Sequence, residues 1–136
     1  MRGNRGGKTD GGTGRRQGKV LRRELVRLSE LKPHEETDGK KVQKLARDLK
    51  RNGQREPLLV DARHGVILDG HHRAKALKKI GETHAHALLV DYSGQEVKLS
   101  GRRPGVPVSK RLVVQRALQK RPFPPKTTRH ELEINL

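Results

Sequence analysis

Three short clusters of polar residues in this chain have types and spacing that suit chemistry on an anionic ligand. The first lies at a strand-to-helix junction and consists of Asp69, Gly70, His71, His72 and Arg73. Glycine lets a backbone approach a ligand closely, and the unpaired N–H groups of a first helical turn attract anions. The histidines and the arginine add donors, and Asp69 suits a ligand hydroxyl or a metal-bound water. We predict a phosphate site here; the alternative is a capped helix start with surface histidines.

The second cluster places two carboxylates, Glu35 and Glu36, directly after Pro33 and just before a predicted helix. A carboxylate held by a proline-stiffened turn can serve as a general base or as a metal ligand. Acidic residues near a helix N-terminus also stabilise the helix through its dipole, with no role in chemistry. Taken alone, these residues favour the second, structural interpretation.

The third cluster follows Pro122, Pro124 and Pro125 and is a run of five hydrogen-bond donors: Lys126, Thr127, Thr128, Arg129 and His130. Prolines fix an extended backbone, and such a string of donors suits a carboxylate or a phosphate. The alternative is a solvated, basic, extended arm. Three prolines leading into so polar a run favour the binding role.

Regular elements are predicted around these clusters. Helical spacing of apolar residues predicts one helix from a cap at Thr37 or Asp38 to Asn52, a second up to Gly81, and a third from Ser109 to about Lys120. In the third helix we expect four residues to face inward: Leu112, Val113, Ala117 and Leu118.

Short apolar runs predict the strands. They lie at residues 25–31, 58–60, 66–68 and 87–90, with a possible edge strand at 95–99. The runs at 58–60 and 66–68 are separated by a tight turn and are expected to form a hairpin.

Composition limits what the protein can be. Its 136 residues suffice for one domain; the absence of cysteine excludes disulfides and thiolate chemistry, and no apolar run is long enough to span a membrane. We therefore expect a soluble, cytoplasmic protein. Residues 1–19 are rich in Gly, Arg and Lys and are predicted to be a disordered basic tail, so that the folded domain covers residues 20–136.

Positive charge is concentrated at the two ends of the chain, which carries a net charge of +17. Residues 1–23 hold eight basic residues and one acidic residue, residues 97–130 hold ten basic residues and no acidic one, and the middle is nearly neutral. This pattern indicates anionic partners, which include nucleic acid and phosphorylated metabolites.

The residues of the three clusters together resemble the ParB/sulfiredoxin superfamily, and within it the free serine kinases that use ADP or ATP. The matching segments are Lys32 to Glu35, Asp69 to Arg73 and Pro125 to His130. The resemblance implies a small α+β domain with a short mixed sheet and about three helices. It also implies that Asp69, Gly70, His71, His72 and Arg73 hold nucleotide phosphates, that Glu35 is the catalytic base, and that Lys126, Thr128 and His130 hold the amino-acid substrate.

Related activities of the superfamily are disfavoured by particular residues. Sulfiredoxins use a catalytic cysteine where His71 stands, and this chain has none. ParB-type CTPases resemble it less, because they carry Gly-Glu-Arg-Arg where this sequence reads Gly-His-His-Arg. An aromatic residue of the serine kinases' substrate pocket falls near Ser100 to Arg102, where this sequence has no aromatic.

Two functions follow as hypotheses. The first is a small-molecule kinase that transfers a phosphoryl group from ADP or ATP, with Mg²⁺, to free L-serine or a related small acceptor; no metal site built from protein ligands alone is predicted. The second is a ParB-like nucleic-acid-binding protein without turnover, which contacts its partner through residues 1–23 and 97–130.

Overall fold

The computed structural model describes residues 20–133, which form six strands and three α-helices. The elements are β1 (Val20–Arg27), α1 (Gly39–Asn52), β2 (Leu58–Asp61), β3 (Ile67–Asp69), α2 (His71–Lys79), β4 (His84–Val90), β5 (Val97–Gly101), α3 (Lys110–Leu118) and β6 (Thr128–Leu132). A short 3₁₀ turn at Leu28–Glu30 follows β1. The predicted disordered tail, residues 1–19, lies outside the described residues.

Four strands form a mixed sheet in the order β1-β4-β2-β3. β4 pairs antiparallel with β1 and parallel with β2, while β2 and β3 form the predicted hairpin. β5 and β6 form a separate antiparallel pair. The α+β class, the mixed sheet and the three helices are therefore confirmed.

Two layers cover the two faces of the four-stranded sheet. Leu58 and Val60 of β2 face a cluster with α1 and α2, which we call the helical layer. Leu59, between them, faces the opposite cluster, built around Val113 of α3 and Phe123. We call α3, β5, β6 and the segment from 119 to 127 the mixed layer. This division follows from the alternation of side chains along a strand.

The helix starts follow the predicted capping chemistry. Asp38, rather than Thr37, caps α1, and its carboxylate accepts a hydrogen bond from the Lys40 N–H at 2.9 Å. The Ser109 hydroxyl accepts from the Leu112 N–H at 3.1 Å at the start of α3. These contacts satisfy N–H groups that have no partner within the helix.

One expectation about the mixed layer was wrong, and one alternative is excluded. Leu118 does not face inward: it is the last residue of α3 and is 49% exposed. The proline-led segment is not a solvated arm, because Phe123 is 1% exposed and residues 128–132 pair with β5. The apolar surface of Phe123 and the free edge of β5 both favour packing of this segment over solvation.

None of the helices in residues 20–133 combines the length and the apolar character that crossing a membrane requires.

Candidate active site

One cleft of about 280 Å³ brings together eight of the nine residues predicted from the sequence. They come from the loop before α1, from the β3–α2 junction and from the start of β6: Glu35, Asp69, Gly70, His71, His72, Arg73, Lys126 and Thr128. Two further cations, Lys41 and Arg102, also line the cleft and were not predicted. The three clusters of the sequence are thus parts of one site.

Glu35 is the carboxylate at the centre of this arrangement and is 8% exposed. Its Oε1 accepts a hydrogen bond from the Lys126 N–H at 3.1 Å. Its Oε2 accepts from the Thr128 N–H at 2.7 Å and from the Thr128 hydroxyl at 2.5 Å. Three donors from a segment distant in the sequence therefore fix the orientation of the carboxylate.

Backbone contacts hold the two segments together beside this carboxylate. The Phe123 N–H donates to the His34 carbonyl at 2.8 Å, and the Glu36 N–H donates to the Phe123 carbonyl at 2.8 Å. The loop that carries Glu35 is thus paired with the proline-led segment that carries Lys126 and Thr128, as a short parallel bridge. The prolines on both sides of the contact favour the extended backbone that this pairing requires.

His34 lies fully buried behind Glu35 and is connected to it through Thr128. Its Nδ1 is 2.7 Å from the Ile67 carbonyl, to which it donates, and its Nε2 is 2.8 Å from the Thr128 hydroxyl. Burial lowers the pKa of His34, which favours the neutral ring. The single hydroxyl proton of Thr128 is then shared between two acceptors, His34 Nε2 and Glu35 Oε2.

The histidines of the β3–α2 junction are structural acceptors rather than surface cations. His71 Nε2 accepts from the His34 N–H at 3.1 Å, and His72 Nε2 accepts from the Asp38 N–H at 3.0 Å. Desolvation lowers the pKa of both rings, for His71 well below its usual value. Both rings are therefore neutral near pH 7, and what these residues can offer an anion is a backbone N–H and a neutral ring Nδ1–H rather than a positive charge.

The start of α2 leaves its first-turn N–H groups available. Gly70 caps the helix with φ +105°, and no side chain makes a capping hydrogen bond there. Arg73 also lines the cleft beside Gly70, and its guanidinium is already partnered: it donates to the Pro57 carbonyl at 3.2 Å and lies 3.6 Å from Glu56. A helix of nine residues that begins without a side-chain cap presents partial positive charge to the cleft.

Besides Arg73, three full positive charges line the cleft from different parts of the chain. Lys41 lies in α1, Arg102 follows β5, and Lys126 precedes β6 with a left-handed φ of 58°. The neighbouring Lys126 side chain is the main cause that lowers the pKa of Lys41, and desolvation and repulsion from Lys126 and Arg102 lower it further. An anion in the cleft would relieve this repulsion.

His130 is the one predicted residue that does not line the cleft. Its Nε2 is 2.7 Å from the Tyr92 hydroxyl, and its ring centroid is 5.3 Å from that of His34. Burial, and then the neighbouring His34, lower the pKa of His130 to about 3. Its Nδ1 is buried without a hydrogen-bond partner among the described residues. The structure thus places His130 beside Tyr92 and His34, outside the lining of the cleft.

A second cavity, of about 410 Å³, adjoins the cleft and shares two of its residues, Glu35 and His71. Its other walls are largely apolar and include Leu28, Leu31, Ile67 and Pro122. Glu35 therefore stands between a cationic cleft and a more apolar cavity. Within residues 20–133, no group of three or more His, Asp or Glu side chains is arranged to hold a metal ion.

Comparison with solved structures identifies the class of fold. A mutant free serine kinase in complex with ADP superposes with a TM-score of 0.74 over 88% of this chain and 91% of that chain, at 16% identity. This likeness establishes the architecture, which is the one that the sequence resemblance implied.

The chain belongs to the ParB N-terminal domain family, whose model matches residues 12–100. It is 33% identical over 76 residues to a ParB-like protein of Sulfolobus acidocaldarius, covering 56% of this chain and 38% of that protein. It is 30% identical over 87 residues to an ATP-dependent L-serine kinase of Staphylothermus marinus, covering 60% of this chain and 34% of that protein. The chain thus spans little more than a third of the length of these relatives.

Proposed function

We propose that this protein is a nucleotide-dependent phosphotransferase that acts on the hydroxyl of a small acceptor, free L-serine or a related molecule. The observation that carries the proposal is a single one. A carboxylate fixed by three hydrogen bonds shares one cleft with an uncapped helix start and four cationic side chains. Phosphoryl transfer to an alcohol needs these parts, since its catalysis is mostly positioning and charge stabilisation.

The donor in this proposal is ADP or ATP. The first-turn N–H groups of α2 hold its phosphates, and Lys41 and Arg102 compensate their charge. Asp69 is the exposed carboxylate of the cleft and fits Mg²⁺, which is usually bound by one or two carboxylates together with substrate phosphates. When bound, Mg²⁺ supplies further neutralisation of phosphate charge.

Glu35 in this proposal accepts the proton of the acceptor hydroxyl. Its fixed orientation is the geometric requirement for a general base. The main-chain N–H groups of Lys126 and Thr128 already donate to Glu35, so the Lys126 ammonium is the group of this segment that is left for an acceptor carboxylate. A direct contact between His130 and the acceptor stays a prediction.

The names of the relatives support the same reading, because ATP-dependent L-serine kinases are among them. The solved structures with the same fold include complexes with ADP and AMP. The sequence has no aromatic residue near Arg102 and has a cation there. These two features favour an acceptor that carries more negative charge than serine, and such an acceptor should be tested together with serine.

The test is the substitution Glu35→Gln, which keeps the size of the side chain and removes the proton acceptor. We expect phosphorylated product, measured by mass spectrometry with ADP or ATP, Mg²⁺ and a panel of hydroxy amino acids, to form about 10²- to 10⁴-fold more slowly. Nucleotide affinity, measured by calorimetry, should change little. The control is Glu30→Gln, an exposed carboxylate with a 73% exposed side chain five residues earlier. Full turnover by Glu35→Gln would remove Glu35 as the base.

A further inference from the structure

The strongest unassigned feature of the molecule is the charge on α1 and α2. Together these helices carry ten basic residues and one acidic residue, Asp48. The rest of residues 24–96 holds four basic and eleven acidic residues. The middle of the sequence is therefore nearly neutral in sum, but its positive charges are concentrated on the two helices and almost all of its negative charges lie elsewhere. Asp48 is itself paired, since it accepts hydrogen bonds from Arg55 at 3.0 Å and Asn52 at 2.8 Å.

Six of these ten basic residues border one groove. α1 packs against α2 over the sheet, and two depressions of about 640 and 570 Å³ between them share Gln43 and Lys79. Lys40, Arg47 and Lys50 line the groove from α1, while Lys75, Lys78 and Lys79 line it from α2. Among the described residues, no acidic side chain lines either depression.

We propose that this groove binds the phosphate backbone of duplex nucleic acid without reading its sequence. From Lys40 to Lys50 the α1 axis advances about 15 Å, over which one strand of a duplex presents about four phosphates. Two rows of cations on either side of a groove match one such strand. Phosphate contacts of this kind carry affinity and register but no base specificity.

Other polyanionic partners fit the groove less well. A membrane surface is usually bound through exposed apolar side chains beside the cations, and the exposed large hydrophobic residues of the described chain, Leu21, Leu25 and Leu118, lie on β1 and α3. A stable protein interface usually has buried aromatic anchors, and neither helix contains an aromatic residue. A regular row of phosphates requires neither feature.

The proposed surface is distinct from the cleft and from the residues that the sequence favoured. The groove cations named for the test, Arg47, Lys50 and Lys79, are exposed and do not line the cleft around Glu35. They also lie outside residues 1–23 and 97–130, where the sequence predicts the contacts with nucleic acid. Nucleic-acid binding through the groove therefore does not depend on the proposed phosphotransferase activity.

The experiment compares two triple variants of the full chain that change the net charge equally. The groove variant is R47E/K50E/K79E, and the control, R111E/K120E/R129E, reverses three exposed cations of the basic C-terminal block. Binding to fluorescein-labelled 24-base-pair DNA and RNA duplexes is followed by anisotropy across a salt titration. Circular dichroism and thermal unfolding verify that both variants are folded.

We expect the groove variant to bind about 100-fold more weakly at 100 mM salt, with a slope of log K against log salt lower by about 3, because each lost phosphate contact removes roughly 0.9. The control should change the affinity by less than about threefold. If the groove variant loses affinity for either duplex and the control variant does not, the result supports the groove as the binding surface. Comparison of the two duplexes shows whether DNA or RNA is preferred. Equal losses in both variants, no loss in the groove variant, or groove-dependent binding to phosphatidylserine vesicles without duplex binding would overturn the proposal.

Discussion

The two layers that cover the sheet contribute to the cleft in different ways. The helical layer is held by apolar contacts between regular elements and presents a helix start and a cation, Lys41, to the site. The mixed layer surrounds Phe123 and a group of buried polar side chains, His34, Thr128 and His130. The helical layer thus supplies the helix start and Lys41, whereas the mixed layer fixes the carboxylate and supplies the cation Lys126. The site exists only where the two layers meet.

The largest expected effect comes from removing the largest buried side chain of the mixed layer, which tests whether the two layers contribute differently to the cleft. We expect Phe123→Ala to lower the free energy of unfolding by about 3–5 kcal/mol, because it leaves a large cavity. The backbone of Phe123 also pairs with His34 and Glu36, so relaxation around the cavity should displace Glu35. Turnover should therefore fall further than the loss of folded protein explains. Urea unfolding and kinetics below the unfolding transition measure the two effects.

The matched variant in the helical layer is Leu77→Ala, at a residue that is 4% exposed. It should cost about 2–5 kcal/mol of stability and leave kcat of the folded protein nearly unchanged. If the two variants lowered kcat equally at matched folded fractions, the proposed division of roles between the layers would be wrong.

The second prediction concerns the glycine at which the helical layer meets the cleft. We expect Gly70→Ala to cost about 3 kcal/mol, because φ is +105° and an added Cβ would lie 2.6 Å from Leu58 Cδ2 in the core. The change should also weaken nucleotide binding by shifting the first turn of α2. Chemical unfolding and calorimetry with ADP test both points.

Gly53→Ala is the control, because Gly53 also has a positive φ, +75°, but an added Cβ would meet nothing within 4 Å. Because its ψ of 177° also lies in a region that only glycine readily adopts, the change should cost about 1–3 kcal/mol through backbone strain alone and leave nucleotide affinity unchanged. A Gly70 variant that also leaves nucleotide affinity unchanged would show that the close approach to Leu58 is unimportant for the cleft.

The smallest of the three effects appears with pH and tests the buried polar group of the mixed layer. Unfolded His130 titrates near 6.5, whereas its folded pKa is lowered to about 3, so protons bind the unfolded chain more strongly. The stability due to the neutral ring is complete above pH 6.5 and is lost as the pH falls towards 3. At pH 4.5 this loss is about 2–3 kcal/mol for His130 alone.

The corresponding variant, His130→Gln, removes the titrating ring and keeps a hydrogen-bonding group beside Tyr92. Its free energy of unfolding should therefore fall less than that of the unsubstituted protein between pH 7 and 4.5, in urea titrations at each pH. An unchanged pH dependence would assign the acid sensitivity to the other buried rings, His34 and His71, instead.

The helical layer, α3 and most of the sheet could be predicted from the sequence because their signals are local, although β1 spans Val20–Arg27 where the sequence predicted a strand over 25–31. Spacing of Val42, Leu45 and Leu49 determines α1, and Asp38 and Ser109 mark the starts of α1 and α3 by their capping chemistry. The alternation of buried residues along β2 and β4 determines which layer each side chain faces. Each of these features depends on residues that are close together in the sequence.

The mixed layer could not be predicted in the same way because its contacts join distant parts of the chain. Nothing in the sequence near Thr128 indicates that its hydroxyl and N–H meet Glu35, 93 residues away. Lys41 and Arg102 were missed for the same reason, since each looks like an ordinary surface cation until the fold brings it to Lys126. His130 was assigned to the cleft from resemblance, and only the fold shows that it pairs with Tyr92.

The hydrogen bonds between Glu35 and residues 126–128 have a consequence for synthesis on the ribosome. A nascent chain that has emerged only as far as α3 already contains the four-stranded sheet and both helices of the helical layer, but it lacks Phe123 and β6. Its carboxylate also lacks all three donors, which arrive with residues 126–128. Because domains generally fold as units, we expect the cleft to form only after these last residues have left the ribosome.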